Sequence, residues 1–245
     1  MPARHDQVDD PGLAASLLTA RRGTAYFSRK LAELSDDDFD APSPLPGWSR
    51  RHIIAHVGYN ARALTRLIEW AATGIETPMY ASPEQRAREI EDGVTLKPIA
   101  LRHLVSHSNV HLNVEWRDLP TDAWSNTVRT AQGRTVPASE TPWMRSREVW
   151  IHAVDLNNGG SFNDLPADVL DALLADVTGV WRQRGHGSEL VLGPTDRTCQ
   201  ILVGVDPTLH LTGTAADLTR WATGRGDAKL TTSTGEAVPK APRWL

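Results

Sequence analysis

The sequence predicts a mainly helical protein with a smaller α+β domain at its C-terminal end, and two observations carry this prediction. In the first 160 residues, four long stretches repeat their apolar residues at helical spacing with shorter connections between them, which is typical of a four-helix bundle. Beyond Asn157-Asn158-Gly159-Gly160, short β-type runs alternate with helical ones. We therefore predict a helical domain over residues 1–160 and an α+β domain over residues 161–245.

Capping and turn signals bound the first two helices. Asp10-Pro11-Gly12 precedes a helical pattern that continues to about Leu34. After a proline-rich connection, Ser49 is expected to cap a second helix, which Gly74 ends. These two stretches provide half of the predicted bundle.

The other two helices of the predicted bundle lie on either side of a short polar segment. The third helix covers about residues 95–116. Residues 127–136 alternate around Gln132-Gly133 and predict a short hairpin or an ordered loop. Thr141-Pro142, a capping residue followed by proline at the first helical position, starts the fourth helix, which ends at Leu156.

The predicted C-terminal domain contains two helices and several short strands. The helices cover about residues 165–184 and 215–223. The β-type runs cover residues 188–192, 200–205, 208–212 and 229–232.

Composition excludes several classes of function. Hydrophobic content of 40% and charged content of 23% are ordinary for a globular protein. No apolar run reaches the roughly 18 residues that a membrane span needs, and the N-terminus lacks the apolar core of a signal peptide, so we expect a cytoplasmic protein without a membrane partner. A net charge of −4 with interspersed signs gives no basic surface for nucleic acid. The single cysteine, Cys199, excludes an internal disulfide.

The fourth predicted helix carries a candidate metal-binding pair, Glu148 and His152. Residues at i and i+4 lie on one helical face, one turn apart, so a carboxylate and an imidazole there can share one divalent ion. A solvated side-chain pair is the ordinary alternative. The apolar neighbours of the pair favour the metal, because a carboxylate among them needs a partner. Two ligands do not hold zinc, and a third must come from another element.

Histidines on the second and third helices are candidates for that ligand. His52 and His56 are four residues apart, and we expect the deeper His56 to point inward and His52 to lie at the surface. His103, His107 and His111 occupy successive turns of the third helix and span about 11 Å, too far for all three to reach one ion. We interpret this triplet as surface or packing residues, with His107 a candidate lining residue.

Several stretches of the chain closely resemble the mycothiol-dependent maleylpyruvate isomerase family, within the wider DinB-like metalloprotein superfamily. The similarity extends from the first helix to the last residue and includes the segments 46–49, 55–57, 76–80, 130–140, 144–156, 232–236 and 242–245. The resemblance implies a DinB-like four-helix bundle followed by a C-terminal α/β domain, in agreement with the division above. It also implies conversion of maleylpyruvate to fumarylpyruvate in gentisate-type aromatic degradation.

The same resemblance implies particular site residues. The family's zinc ligands fall on His56, Glu148 and His152, which makes His52 a neighbour of the site. A C-terminal arginine that the family projects into the cleft between its domains matches Arg225 best, with Arg220 as the fallback. Mycothiol is the implied thiol cofactor.

These residues lead to a specific chemical hypothesis. Three protein ligands leave zinc an open position, where it ionises a bound water or thiol. Reversible addition of a thiolate to the cis double bond allows rotation, and Cys199 lies in the other predicted domain, so an external thiol is expected. Zinc would ionise mycothiol, and Arg225 would pair with a carboxylate of the substrate. The alternatives are a mycothiol-dependent S-transferase for another electrophile, a zinc hydrolase that uses bound water, and a non-enzymatic metal- or thiol-binding module.

Overall fold

The computed structural model describes residues 5–244 and divides the chain into two compact units, residues 1–160 and 161–245. Over the described residues, the N-terminal unit is helical apart from one small hairpin, and the C-terminal unit combines helices with a four-stranded sheet. The predicted fold class, a mainly helical protein with a smaller α/β part at the C-terminal end, is confirmed.

Five α-helices build the described part of the N-terminal unit: α1 (Pro11–Ala32), α2 (Arg50–Thr73), α3 (Pro83–Val94), α4 (Pro98–Asp118) and α5 (Thr141–Asp155). The four long predicted helices correspond to α1, α2, α4 and α5. In the bundle, α2 packs against α4 and α5, and α1 packs against α5, while the shorter α3 packs on α2. The chain thus brings α2 and α5 side by side, although α3 and α4 lie between them in sequence.

Local interactions explain where these helices start, end and meet. The Asp10 carboxylate accepts a hydrogen bond of 2.6 Å from the Leu13 amide at the start of α1. Gly74 has a left-handed backbone with φ of 73° and ends α2. At Gly23 of α1, an added Cβ would lie 2.6 Å from the Trp150 Nε1 and the Val149 Cγ2, so the bare glycine lets α1 approach α5 closely.

The core of the N-terminal unit is an apolar cluster shared by the helices and the hairpin. The hairpin strands β1 (Thr127–Arg129) and β2 (Thr135–Pro137) are antiparallel, and Val128 pairs with Val136. Both valines are buried in the cluster, together with Leu17, Leu64, Leu67, Ile68, Leu112 and Trp116. Burial of each large apolar side chain stabilises the fold by about 1.5–3 kcal/mol. The hairpin predicted over residues 127–136 is therefore present and closes one end of the core.

The elements of the C-terminal unit are α6 (Ala167–Gln183), β3 (Leu190–Pro194), β4 (Ile201–Leu202), β5 (Leu209–Gly213), α7 (Ala215–Ala222) and β6 (Thr231–Thr232). The sheet order is β4-β3-β5-β6, in which β3 and β5 are parallel and the other pairs are antiparallel. Rings of Trp181 and Trp221 meet edge to face at 5.5 Å where α6 packs on α7. The strand predicted over residues 200–205 is shorter than expected, since β4 covers only Ile201–Leu202. Two residues later, at Gly204, the backbone lies so close to Ser188 that an added Cβ would be 1.8 Å from its carbonyl oxygen.

Among the described helices, none has the combination of length and apolar character that a bilayer crossing requires.

Candidate metal centre

Three side chains from two helices converge in the N-terminal unit: His56 of α2 and Glu148 and His152 of α5. The Oε2 atom of Glu148 lies 2.7 Å from the His56 Nε2 and 3.3 Å from the His152 Nε2. One nitrogen or oxygen of each residue lies within 4.8 Å of the other two. The helical spacing on α5 aligns Glu148 with His152, and the packing of α2 on α5 adds His56.

The cluster is largely enclosed, with Glu148 as its most exposed member. His56 and His152 are 4% and 9% exposed, whereas the Glu148 side chain is 22% exposed. The two imidazole rings meet edge to face at 4.9 Å, and the half-buried Trp48 ring lies 5.6 Å from that of His56. Two imidazole nitrogens and a carboxylate oxygen are a donor set that zinc and similar divalent ions accept, and three protein ligands leave one position open.

Asp155 supports the cluster from behind. Its Oδ2 lies 2.8 Å from the His152 Nδ1, and the residue is fully buried. A hydrogen bond from Nδ1–H to this carboxylate fixes the ring so that Nε2 presents its lone pair to the cluster. The sequence analysis missed Asp155, although its position three residues after His152 on the same helix is a usable signal.

The charges of the cluster follow from burial and from these contacts. Burial opposes ionisation of Glu148, but the neighbouring His56 and His152 outweigh it and hold the pKa of the carboxyl well below its usual range. Burial lowers the pKa of His56, and the charge of Glu148 offsets this only in part. Burial also acts to lower the pKa of His152, but hydrogen bonds with Asp155 and Glu148 raise it overall. Glu148 is therefore an ionised carboxylate at neutral pH, which suits a metal ligand.

The remaining histidines lie outside this cluster. The Nδ1 of His52 accepts a hydrogen bond of 3.0 Å from the Ser49 amide at the start of α2, and its side chain is 16% exposed, so it is less exposed than expected. His103 and His107 are exposed on α4, and neither belongs to the cluster, so a lining role for His107 stays a prediction. His111 forms a separate surface group with Glu69 and Glu115.

A buried arginine, Arg145, lies one turn before Glu148 on α5. Its guanidinium donates hydrogen bonds to the Val57 carbonyl at 2.8 Å, the Asn60 Oδ1 at 2.7 Å and the Asn109 Oδ1 at 2.6 Å. Burial lowers the pKa of Arg145 to about 10, against the opposing effect of the Glu148 charge. Arg145 thus remains a cation at neutral pH and ties α5 to α2 and α4.

Two more polar residues that the sequence analysis missed lie near the cluster, Tyr80 and Arg86. The Arg86 Nη2 lies 3.4 Å from the Nδ1 of His56. Burial raises the pKa of Tyr80 to about 12, with smaller effects from the charges of Arg86 and Glu148. The Tyr80 hydroxyl therefore keeps its proton at neutral pH. Tyr80 is the last residue of the segment 76–80 that resembles the family, whereas Arg86 lies outside the segments that carry the resemblance.

The predicted arginines of the C-terminal unit lie at the end of α7. Arg225 is half-buried between Gly224 and Gly226, both with left-handed backbones, and its guanidinium donates to the Thr223 carbonyl. The Arg220 guanidinium donates to the Ala228 carbonyl and lies 3.6 Å from the Asp217 carboxylate. Arg220 therefore has an acidic partner within its own unit.

A helical bundle with a buried His2Glu cluster, followed by a small α/β unit, defines a two-unit helical protein with a candidate divalent-metal centre. Residues 20–157 match the family model described as the mycothiol maleylpyruvate isomerase N-terminal domain, and residues 164–243 match the one described as the MDMPI C-terminal domain. The chain belongs to the mycothiol-dependent maleylpyruvate isomerase family, as its sequence resemblance implied.

Solved structures agree with this assignment. The chain is similar to the crystal structure of the mycothiol-dependent maleylpyruvate isomerase, at 50% identity and a TM-score of 0.91, over 96% of this chain and 98% of that one. A variant of that enzyme with a histidine replaced by alanine gives the same identity and coverage and a TM-score of 0.90. No curated protein matches the chain.

Proposed function

We propose that this chain is a zinc- and mycothiol-dependent cis–trans isomerase that converts maleylpyruvate to fumarylpyruvate, as part of gentisate-type aromatic degradation. The observation that carries the proposal is the convergence of His56, Glu148 and His152 within 4.8 Å in a chain of this family. The relatives named above support the choice of isomerisation over transfer or hydrolysis.

His56, Glu148 and His152 would hold the metal ion through two imidazole nitrogens and one carboxylate oxygen. When bound there, a zinc ion supplies positive charge that lowers the pKa of a thiol placed at its open position. In this assignment Glu148 is a ligand and not a general base, because it lies between two imidazoles and its lowered pKa makes it a weak proton acceptor. Asp155 holds His152 in the tautomer that a ligand requires.

The proposed reaction needs a nucleophile that the chain does not place among these residues. A cis double bond can rotate only while it is single, and reversible addition of a thiolate to the conjugated alkene makes it so. Cys199 is exposed in the connection between β3 and β4 of the C-terminal unit, whereas the cluster belongs to the N-terminal unit. The mycothiol dependence named for the similar enzyme favours an external thiol, which is mycothiol in the proposal.

Arg225 is the proposed partner of one substrate carboxylate. Arginine binds a carboxylate through two parallel hydrogen bonds, which fixes orientation as well as charge. Arg225 is preferred to Arg220 because Arg225 is the better match to the arginine of the family. The glycines on both sides of Arg225 have positive φ angles of 81° and 101°, which glycine adopts without steric cost.

The decisive experiment is an ultraviolet assay of zinc-loaded protein with maleylpyruvate, with and without mycothiol. Turnover that appears only when mycothiol is present supports the proposal. Turnover without any thiol contradicts it and favours a hydrolase that uses water, and conjugates of mycothiol without fumarylpyruvate favour an S-transferase. Arg225→Ala should lose turnover but keep zinc, whereas Arg220→Ala should retain most of its activity.

A further inference from the structure

A cation lies directly beside the candidate metal centre, on the side of His56. Arg86 is half-buried on α3, and its Nη2 is 3.4 Å from the Nδ1 of His56. No described carboxylate forms an ion pair with Arg86. A half-buried guanidinium without an acidic partner is available to bind an anion.

The two histidines of the centre, His56 and His152, have different groups next to their Nδ1 atoms. A histidine that binds metal through Nε2 keeps its proton on Nδ1, where it needs a hydrogen-bond acceptor. His152 has one, since the Asp155 carboxylate lies 2.8 Å away. The Nδ1 of His56 faces the N–H groups of Arg86 instead.

Metal binding through the Nε2 of His56 would therefore place two donors opposite each other. Neither the imidazole N–H nor the guanidinium can accept a hydrogen bond. An anionic oxygen that accepts from both groups resolves this mismatch. A carboxylate suits this position, because a guanidinium and a second N–H together match its two oxygens.

The charge balance of the site favours the same ligand. A carboxylate ligand carries one negative charge, so a divalent ion held by Glu148 and two neutral imidazoles would leave one positive charge there, and the nearby guanidinium of Arg86 adds another. The surroundings thus suit an anion with oxygen acceptors.

We propose that Arg86 and the Nδ1–H of His56 form a carboxylate-binding subsite beside the metal centre, which holds one carboxylate of a small unsaturated diacid. The identity of the diacid rests on the function proposed above, whose substrate carries two carboxylates. In this role Arg86 contacts the substrate and contributes to binding more than to the chemical step.

Isothermal titration calorimetry of zinc-loaded protein with maleate tests the subsite directly. Arg86→Ala should weaken maleate binding roughly 10- to 100-fold, since a charge-assisted hydrogen-bonded pair is lost. Arg86→Lys should recover part of the affinity. Arg88→Ala is the matched control, because Arg88 is exposed on the same helix, and it should bind maleate as the wild type does.

Bound zinc must be measured in each variant, since Arg86 touches a proposed ligand. One zinc ion per chain in Arg86→Ala, together with weak maleate binding, supports the subsite. Loss of zinc from this variant overturns the proposal, because Arg86 would then be holding His56 in place. Wild-type affinity in Arg86→Ala overturns it too, as does a wild-type protein that binds no maleate.

The turnover assay separates this proposal from the proposed function. If the wild type isomerises maleylpyruvate, Arg86→Ala should raise the KM for maleylpyruvate more than it lowers kcat, with an unchanged KM for mycothiol. A wild type without isomerase activity refutes the proposed function, while the maleate titration still decides the role of Arg86.

Discussion

The His152 Nδ1 and the Asp155 Oδ2 lie 2.8 Å apart on neighbouring turns of α5, and Asp155 is completely buried. A buried carboxylate is costly unless it is paired, so this contact satisfies Asp155 as well as orienting His152. Helix α5 therefore supplies two proposed ligands together with the group that aligns one of them.

Asp155→Asn should weaken zinc binding without preventing it. The amide keeps the size of the side chain but loses its charge, and groups of this kind typically contribute 10- to 100-fold to metal affinity. Competition with a chromophoric chelator measures the change. Asp92→Asn, at an exposed position on α3, should leave the affinity unaltered; equal affinities for the two variants would show that Asp155 has no such role.

Each of the single variants His56→Ala, Glu148→Ala and His152→Ala should lose the one zinc ion per chain, because the two remaining ligands do not hold the ion. The matched control is the double variant His103→Ala/His107→Ala, which removes two exposed imidazoles of α4. Metal analysis after gel filtration should show zinc in the control and not in the three single variants. Full zinc content in all four proteins would refute the ligand assignment.

Arg145→Met should destabilise the protein by about 2–4 kcal/mol, since two buried acceptors and one partly buried acceptor lose their donor. These acceptors are the Val57 carbonyl and the side-chain oxygens of Asn60 and Asn109. Urea unfolding followed by circular dichroism measures the loss. Arg88→Met should change stability by less than about 0.5 kcal/mol, as is usual for exposed positions, and a similarly small effect of Arg145→Met would contradict the structural role.

Two glycine substitutions should have opposite effects on stability. Gly23→Ala places a methyl group 2.6 Å from atoms of Val149 and Trp150, and the resulting overpacking between α1 and α5 should cost about 1–3 kcal/mol. Gly179→Ala, in α6, meets no atom within 4 Å and should stabilise its helix by about 0.5–1 kcal/mol. Thermal unfolding of the two variants compares them, and a higher melting temperature for Gly23→Ala would contradict the close contact.

Tyr80 should ionise at about pH 12, because burial raises its pKa from 10.0. A folded-state pKa above the unfolded one means that this contribution to stability is complete below about pH 10 and is lost as the pH rises through 12. The difference in tyrosinate absorbance between wild type and Tyr80→Phe during alkaline titration isolates this group. A component with an ordinary pKa of 10.0 in that difference would show that the hydroxyl is not buried.

Sequence patterns predicted the helices of the bundle well because each signal is local. The Asp10 cap, the left-handed Gly74 and the Thr141-Pro142 start lie at or next to the observed ends of α1, α2 and α5. The pairing of Glu148 with His152 is equally local, since helical spacing alone puts them on one face.

The contributions of Arg86 and Arg145 depend on packing, which local patterns do not contain. An arginine within a helical pattern is ordinarily interpreted as exposed, and Arg145 is buried only because Asn60 and Asn109 face it from other helices. Arg86 reaches His56 because α3 lies close on α2; at Gly93 of α3 an added Cβ would be 2.7 Å from the Ala55 Cβ. His56 itself was identified by the family resemblance, since its burial alone did not separate a ligand from a core histidine.

The separation of His56 from Glu148 by 92 positions along the chain links metal supply to the fate of the newly made protein. A growing chain that has not yet completed α5 lacks two of the three proposed ligands, so ion uptake would mark the end of bundle assembly. Because the ion would bind the folded state preferentially, each tenfold excess of free zinc over its Kd would add about 1.4 kcal/mol of stability. Zinc scarcity would then shorten the lifetime of the protein in the cell, in addition to lowering its isomerase activity.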